Sequence, residues 1–209
     1  MAVCSAAFLV LSVATEITET FTHKITVCSV GNGSAVILRS GNRNIILGCG
    51  GDNNSEYIFT NNINNVNTKS FDLLLIPRNT ETEASYAGVL AGKYSFDNVL
   101  ATTQNLDISA DSLLDSDAKR SNEGNVRIDG RTNLLYINND RFSGARIESP
   151  DFTCTIIYKA TSDFSAVPEG WSSADLLITR ENLPRTDLSS FDNIFISTDR
   201  NVIYDNPNI

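Results

Sequence analysis

The chain predicts an α/β layered sandwich on mixed sheets, and three observations carry that reading. Lys24 to Cys49 reads as three strands joined by tight turns. "FDLLLIP", Phe71 to Pro77, is a continuous apolar run of strand length, the signature of a strand covered on both faces. Further short apolar strands, "ADLLITR" and "DNIFISTD", recur near the end. Strands alternating with helical segments favour layers over an all-β barrel.

In order, "KITVCSV" is rich in β-branched residues, "GNG" turns it, "SAVILRS" returns, "GN" turns again and "RNIILGC" completes a meander. "SEYIFTNNINNV" spaces Tyr57, Ile58, Ile63 and Val66 as a helix, despite its asparagines. After "FDLLLIP", the stretch "TEASYAGVLAGKY" holds good helix formers with Thr80 or Thr82 as N-cap. "FDNVLAT" follows as a buried strand. Strand, helix, strand implies a parallel pair with a right-handed crossover. "LDISADSLLDSDAKRSNEG" is polar loop or short helix, "NVRIDG" and "NLLYIN" form a hairpin around "DGRT", and "DFTCTIIYKA" alternates as a strand. Pro168 and Gly170 mark "FSAVPEGWSS" as a turn-rich connection.

With 209 residues and 41% hydrophobic content the chain suits one domain able to bury a core without staples. A net charge of -9 argues against broad attraction to nucleic acid. One local exception runs from Lys119 to Arg146: Lys119, Arg120, Arg127, Arg131, Arg141 and Arg146 outnumber Glu123, Asp129 and Asp140. Tyr136 and Phe142 interleave with them, a pattern that a single-stranded DNA surface with base stacking would use, and equally that of a solvated hairpin face. Cys28 and Cys154 lie in apolar strands and read as buried thiols, with a Cys28–Cys49 disulfide left open. The apolar run Ala2 to Ala14 is short of the ~20 residues of a membrane span and lacks a basic leader. The truncated end of a membrane helix, an atypical signal or anchor, and an ordinary buried element all fit it.

The order of these blocks resembles the metallo-β-lactamase-like domain at the C-terminal end of the ComEC family, membrane channel proteins of bacterial DNA uptake. Where that family has D-V-G-Q-G-D-A, this chain has "SVGNGSA", with Ser29 and Ser34 in place of the acids. Where it has L-I-D-x-G-G, "ILGCGG" puts Gly48 at the aspartate. The family's histidine-rich T/S-H-x-H-x-D-H becomes "PRNTET": Pro77 and Asn79 stand for the first two histidines, Glu81 for the aspartate and Thr82 for the third histidine. Arg180 falls in the block of the later H-H-G, and Asn206 takes the histidine place before Pro207.

The resemblance implies an αββα metallo-β-lactamase-like sandwich over 23–209, preceded by an apolar segment at 1–22 that is a membrane-helix remnant or anchor. It implies membrane association, and a partner that is single-stranded DNA or a membrane channel protein; no small-molecule substrate is identifiable. Zinc is expected for the family, whose hydrolysis needs a metal to lower the pKa of bound water. Zinc draws on imidazole, thiolate and carboxylate, and the one histidine, His23, lies outside every block, where it reads as a surface or strand-edge residue. The expectation is therefore no cofactor, no catalytic residue, and a pseudoenzyme with a binding or structural role in DNA uptake or membrane transport. Lys119, Arg120, Arg127, Arg131 and Arg141 are the candidate nucleic-acid contacts. The alternative is a hydrolase or nuclease whose site is rebuilt from carboxylates such as Asp52, Asp72, Glu81 and Glu83 around a hard cation. Cys49 is the thiol nearest that site.

Overall fold

A computed structural model describes residues 23–78, 80, 82–102, 119–160, 165–179, 189–196 and 202–205. The predicted meander forms as β1 (His23–Cys28), β2 (Ala35–Ser40) and β3 (Arg43–Leu47). A 3-10 turn and helix α1 (Glu56–Asn65) follow, where the helix was expected. The run "FDLLLIP" splits into β4 (Ser70–Phe71) and β5 (Leu73–Ile76). Asp72 makes the break: its carboxylate accepts from Asn44 N–H at 2.7 Å while its own N–H donates to Asn44 O at 2.9 Å.

Helix α2 (Ala87–Lys93) starts later than the composition suggested. Neither Thr80 nor Thr82 caps it. Thr80 instead closes a turn, its hydroxyl accepting from Glu83 N–H and its carbonyl from Ala84 N–H. After β6 (Ser95–Phe96) and β7 (Val99–Ala101), the chain resumes at β8 (Lys119–Arg120), β9 (Glu123–Arg127) and β10 (Asn133–Asn138). Then come β11 (Phe142–Ser149), β12 (Phe152–Ala160), β13 (Ala174–Thr179), β14 (Phe191–Ile196) and β15 (Val202–Asp205).

Two mixed sheets result, one of seven strands in the order β15-β1-β2-β3-β5-β7-β8 and one of six in the order β14-β13-β12-β11-β10-β9; β4 and β6 pair separately. The expected parallel β5–β7 pair around α2 is present, with Leu75 opposite Leu100. The hairpin around "DGRT" is also present, as the antiparallel β9–β10 pair.

Alternation along each strand builds the layers. Leu73 and Leu75 of β5 face the core between the sheets, while Leu74 and Ile76 face the outer core under α1 and α2. This is the two-sided burial that the unbroken apolar run required. In the second sheet Cys154, Ile156 and Tyr158 of β12 face inward, and Ile157 faces an outer cluster with Phe142, Trp171, Leu177 and Phe191. Among the described residues both α-helices lie against the first sheet, and Ala166, Val167 and Trp171 pack on the second. The described cysteines, Cys28, Cys49 and Cys154, are free buried thiols, so Cys28 and Cys49 are not bridged. No described helix is long and apolar enough to cross a membrane; residues 1–22, to which the anchor readings refer, lie outside the described set.

Candidate functional site

The loops that leave β1, β3 and β5 converge at one end of the sandwich, the strand mouth. They meet through backbone, because glycines stand at the contacts. A Cβ on Gly33 would lie 2.1 Å from the Gly50 carbonyl carbon, and one on Gly50 would lie 2.1 Å from Thr82 O. One on Gly51 would meet the Tyr86 hydroxyl at 2.4 Å. Hydrogen bonds lock the same contacts: Gly50 N–H to Ser34 O at 3.3 Å, Tyr86 N–H to Cys49 O at 2.9 Å, and the Tyr86 hydroxyl to Asp52 O at 2.6 Å. Ser85 Oγ accepts from Gly51 N–H and donates to Gly51 O.

Ser34, Gly48, Pro77 and Thr82 are all at this mouth, beside Ser29, which follows the last residue of β1. Gly48 has φ +81°, and a Cβ there would sit 2.5 Å from Ser34 O. A left-handed φ disfavours any L side chain, so the backbone here is adapted to glycine. Pro77 is buried, and its carbonyl accepts from the hydroxyls of Thr102 and Ser143, each at 3.2 Å. Thr82 is exposed. Asn79, Glu81, Arg180 and Asn206 lie outside the described residues.

The residue that sequence reasoning undervalued is Glu83. It is 2% exposed, accepts a hydrogen bond from Ser34 Oγ at 2.9 Å, and has Arg78 Nη1 3.5 Å from its carboxylate. Its signal was present: Ser34 replaces an acid, and a hydroxyl there can reach an acid supplied by another loop. Burial pushes the Cys49 thiol up to about 12, and the Glu83 charge adds to that effect. At neutral pH it is therefore a protonated, inert thiol. Burial first and Glu83 second also push the Tyr158 phenol well above its ordinary value.

The family resemblance implies zinc, and the donor set does not suit it. Ser34, Gly48, Pro77 and Thr82 offer no imidazole, thiolate or carboxylate; of the carboxylates at the mouth, Glu83 is engaged by Ser34 and Arg78, and Asp52 accepts from Asn32 N–H at 3.2 Å. Among the described residues no group of three or more His, Cys, Asp or Glu converges as metal ligands would.

At the opposite end lies a pocket of about 270 Å³ lined by His23, Ser40, Arg43, Asp129, Arg131 and Asp151, among others. His23 is not a surface residue: it opens β1 at 5% exposure, stacked on Phe152 with ring centroids 5.8 Å apart. Burial pushes its pKa down, against the pull of Asp129 and Asp151. Burial pushes the Asp129 carboxyl up, but hydrogen bonds from Arg131, Ser40 and Thr132 outweigh it and leave the group below its ordinary value.

The basic stretch is dispersed. Lys119 and Arg127 line a groove of about 370 Å³ between the β8 and β9 edges, together with Asp72 and Asp97. Arg120 is exposed beside Lys119 on β8. Arg131 lies in the other pocket, paired with Asp151 at 3.2 Å, and Arg141 bonds Ser165 Oγ beyond the far end of β10. Arg127 donates to the carbonyls of Asp129 and Gly130 in its own turn. Arg146 is 7% exposed, bonded to Glu148, Thr155 and Ser173. Tyr136 and Phe142, whose interleaving a base-stacking surface would use, are 5% and 0% exposed and belong to the cores.

The structure is similar to the metallo-β-lactamase fold protein YhfI from Bacillus subtilis, with a TM-score of 0.57 at 12% identity over 88% of this chain and 100% of that one. The chain has the metallo-β-lactamase fold. A subclass B3 metallo-β-lactamase from a soil metagenome library, MEM-A1, aligns with a TM-score of 0.49 at 14% identity over 77% of each chain. No family model matches this sequence, and no curated protein matches it. The likeness is thus one of fold.

Proposed function

We propose that this chain is a catalytically inactive metallo-β-lactamase-fold domain of ComEC type, with a binding or structural role in DNA uptake or membrane transport. A fold does not carry function by itself, so the weight rests on the mouth. The supporting observation is what stands at the ligand positions: Ser34, Pro77 and Thr82 bring no metal donor there, and Gly48 holds a left-handed conformation hostile to the aspartate that the resemblance would place at it. The ComEC assignment rests on the order of the sequence blocks, and membrane association on that resemblance together with the apolar run Ala2 to Ala14.

If single-stranded DNA is the partner, the buried aromatics leave charge as the means of contact, through Lys119, Arg120 and Arg127 along the β8 and β9 edges and Arg131 and Arg141 at the two ends of β10. Such binding weakens steeply with salt. The test has two arms. Purified protein is analysed for bound Zn, Mn and Mg and assayed for DNA cleavage; a stoichiometric metal, with cleavage abolished by Glu83→Ala, would overturn inactivity. Electrophoretic shifts with single-stranded DNA then examine the partner. No salt-sensitive shift would remove DNA and leave the structural role; one indifferent to Arg127→Ala and Arg131→Ala would remove these arginines as its contacts.

A further inference from the structure

Between the sheets, just below the mouth, lies a small space of about 10 Å³, lined by Ser34, Ala35, Val36, Ile156, Ile157, Tyr158, Ile178 and Thr179. Tyr158 is 1% exposed, and its hydroxyl has no hydrogen-bond partner. A buried phenol left unpaired costs about 1–3 kcal/mol, so native proteins rarely keep one. The space is at the lower limit of what one water requires, roughly 10–15 Å³, and a retained water also needs two or more polar partners.

Those partners are present on the cavity wall. Ser34 spends its proton on Glu83 Oε2, which leaves its oxygen lone pairs to accept. The Tyr158 hydroxyl, on the facing wall, is the donor. Thr179 aside, the other lining side chains are hydrocarbon, so a solute larger than water, or an ion needing several oxygens, finds neither room nor ligands.

We propose that this cavity binds a single water molecule, which accepts from the Tyr158 hydroxyl and donates to Ser34 Oγ. It continues the chain of hydrogen bonds from Glu83 through Ser34 to Tyr158 and ties the first sheet to β12 of the second. The site is independent of whether the domain binds DNA or retains activity.

Tyr158→Phe tests it by the sign of its effect. With the water present, the variant strands a buried water or empties its cavity, and Tm falls by about 2–4 °C, the shift expected for ~1 kcal/mol in a chain of this size. With no water, the variant only removes an unpaired hydroxyl, and an unchanged or higher Tm overturns the proposal. A crystal structure of the wild-type protein at a resolution that shows ordered solvent is the second readout. A density peak within hydrogen-bond distance of Tyr158 Oη and Ser34 Oγ, without anomalous signal, supports the water. An empty cavity, or an anomalous scatterer in its place, refutes it.

Discussion

The two ends of the sandwich are built on opposite plans. At the mouth, loops touch through glycine backbone, and the buried carboxylate among them, Glu83, is 2% exposed and engaged by Ser34 and Arg78. At the far pole, side chains rather than backbone line a pocket of about 270 Å³, and its charged groups stand partly in solvent. The β1–β2 ladder links the two, His23 facing Ser40 at the pole and Cys28 facing Ala35 at the mouth. A glycine-packed end and an open end on the same strands teach that the two poles are held by different forces, backbone contact at the mouth and side-chain charge at the far pole. Substitutions at the mouth should therefore act on stability first, and those at the pole on charge and pH.

The largest effect is expected from Gly50→Ala. The added methyl has backbone of Thr82 and Glu83 at 2.1–2.3 Å, so the loop must shift and Ser34, Cys49 and Tyr86 lose their hydrogen bonds with it. Overpacking of this kind costs about 1–3 kcal/mol and occasionally more, and here it should reach the upper end. Urea unfolding measures it; a loss under 1 kcal/mol would mean that the mouth yields easily and is less closed than the contacts indicate. Gly48→Asp sharpens the same point. It restores the acid of the resemblance yet should destabilise by about 1–2 kcal/mol from its left-handed φ alone. Zinc uptake by that variant in a dialysis measurement would contradict the packing role.

Glu83→Ala comes next, with a loss of about 2–3 kcal/mol, the range for hydrogen bonds to charged groups and for polar partners left buried. Glu83→Gln keeps an acceptor for the Ser34 hydroxyl and should recover part of it. Equal losses for both variants, read from urea midpoints, would show that charge pairing with Arg78 matters more than the bond to Ser34.

Much of the framework could be read from the sequence because apolar periodicity reports burial directly. The two-sided burial of Leu73 to Ile76, the β9–β10 hairpin and the β5–α2–β7 crossover follow from it. β11 could not be read. Its sequence "FSGARIES" looks like loop, yet it is the strand between β10 and β12 and six of its eight residues are buried. Gly144 is required because a Cβ would meet the Phe142 ring at 2.5 Å, and Arg146 is tolerated because Glu148, Thr155 and Ser173 satisfy it. Such tertiary partners leave no local signature. The same holds at the site. The sequence offered Glu83 only as one of four carboxylates for a hard cation; its bond to Ser34, 49 residues away, left no local sign. His23 was misplaced because a polar residue at a strand start reads as exposed until Phe152 is seen against it.

At the pole the contrast turns on pH. His23 has its folded pKa pushed below the ordinary 6.5, so between those two values the unfolded chain binds more protons than the native one. Stability should then be full above about pH 6.5 and fall as pH drops from there towards the folded value. Asp129 acts lower. Its folded pKa lies below 3.8, so its contribution is present above that value and is lost as pH falls through the folded one. His23→Asn should flatten the urea midpoint between pH 7 and 5 and leave the drop below pH 4 in place. A midpoint as steep in the variant as in the wild type would assign that window to another group.

The smallest effect is expected at Arg131. It pairs with Asp151 at 3.2 Å, and the two side chains are 50% and 48% exposed, against 3% for the Glu83 side chain at the mouth. Exposed pairs of this kind contribute about 0–1 kcal/mol, because solvent screens the attraction and two long side chains lose freedom to meet. Arg131→Ala should therefore cost about 0.5 kcal/mol or less by urea unfolding, and less still at high salt, since screening already weakens what it removes. A loss as large as that of Glu83→Ala would erase the distinction between the two ends. It would mean that Arg131 holds the β9–β10 turn against the β11–β12 turn as firmly as Glu83 holds the loops of the mouth.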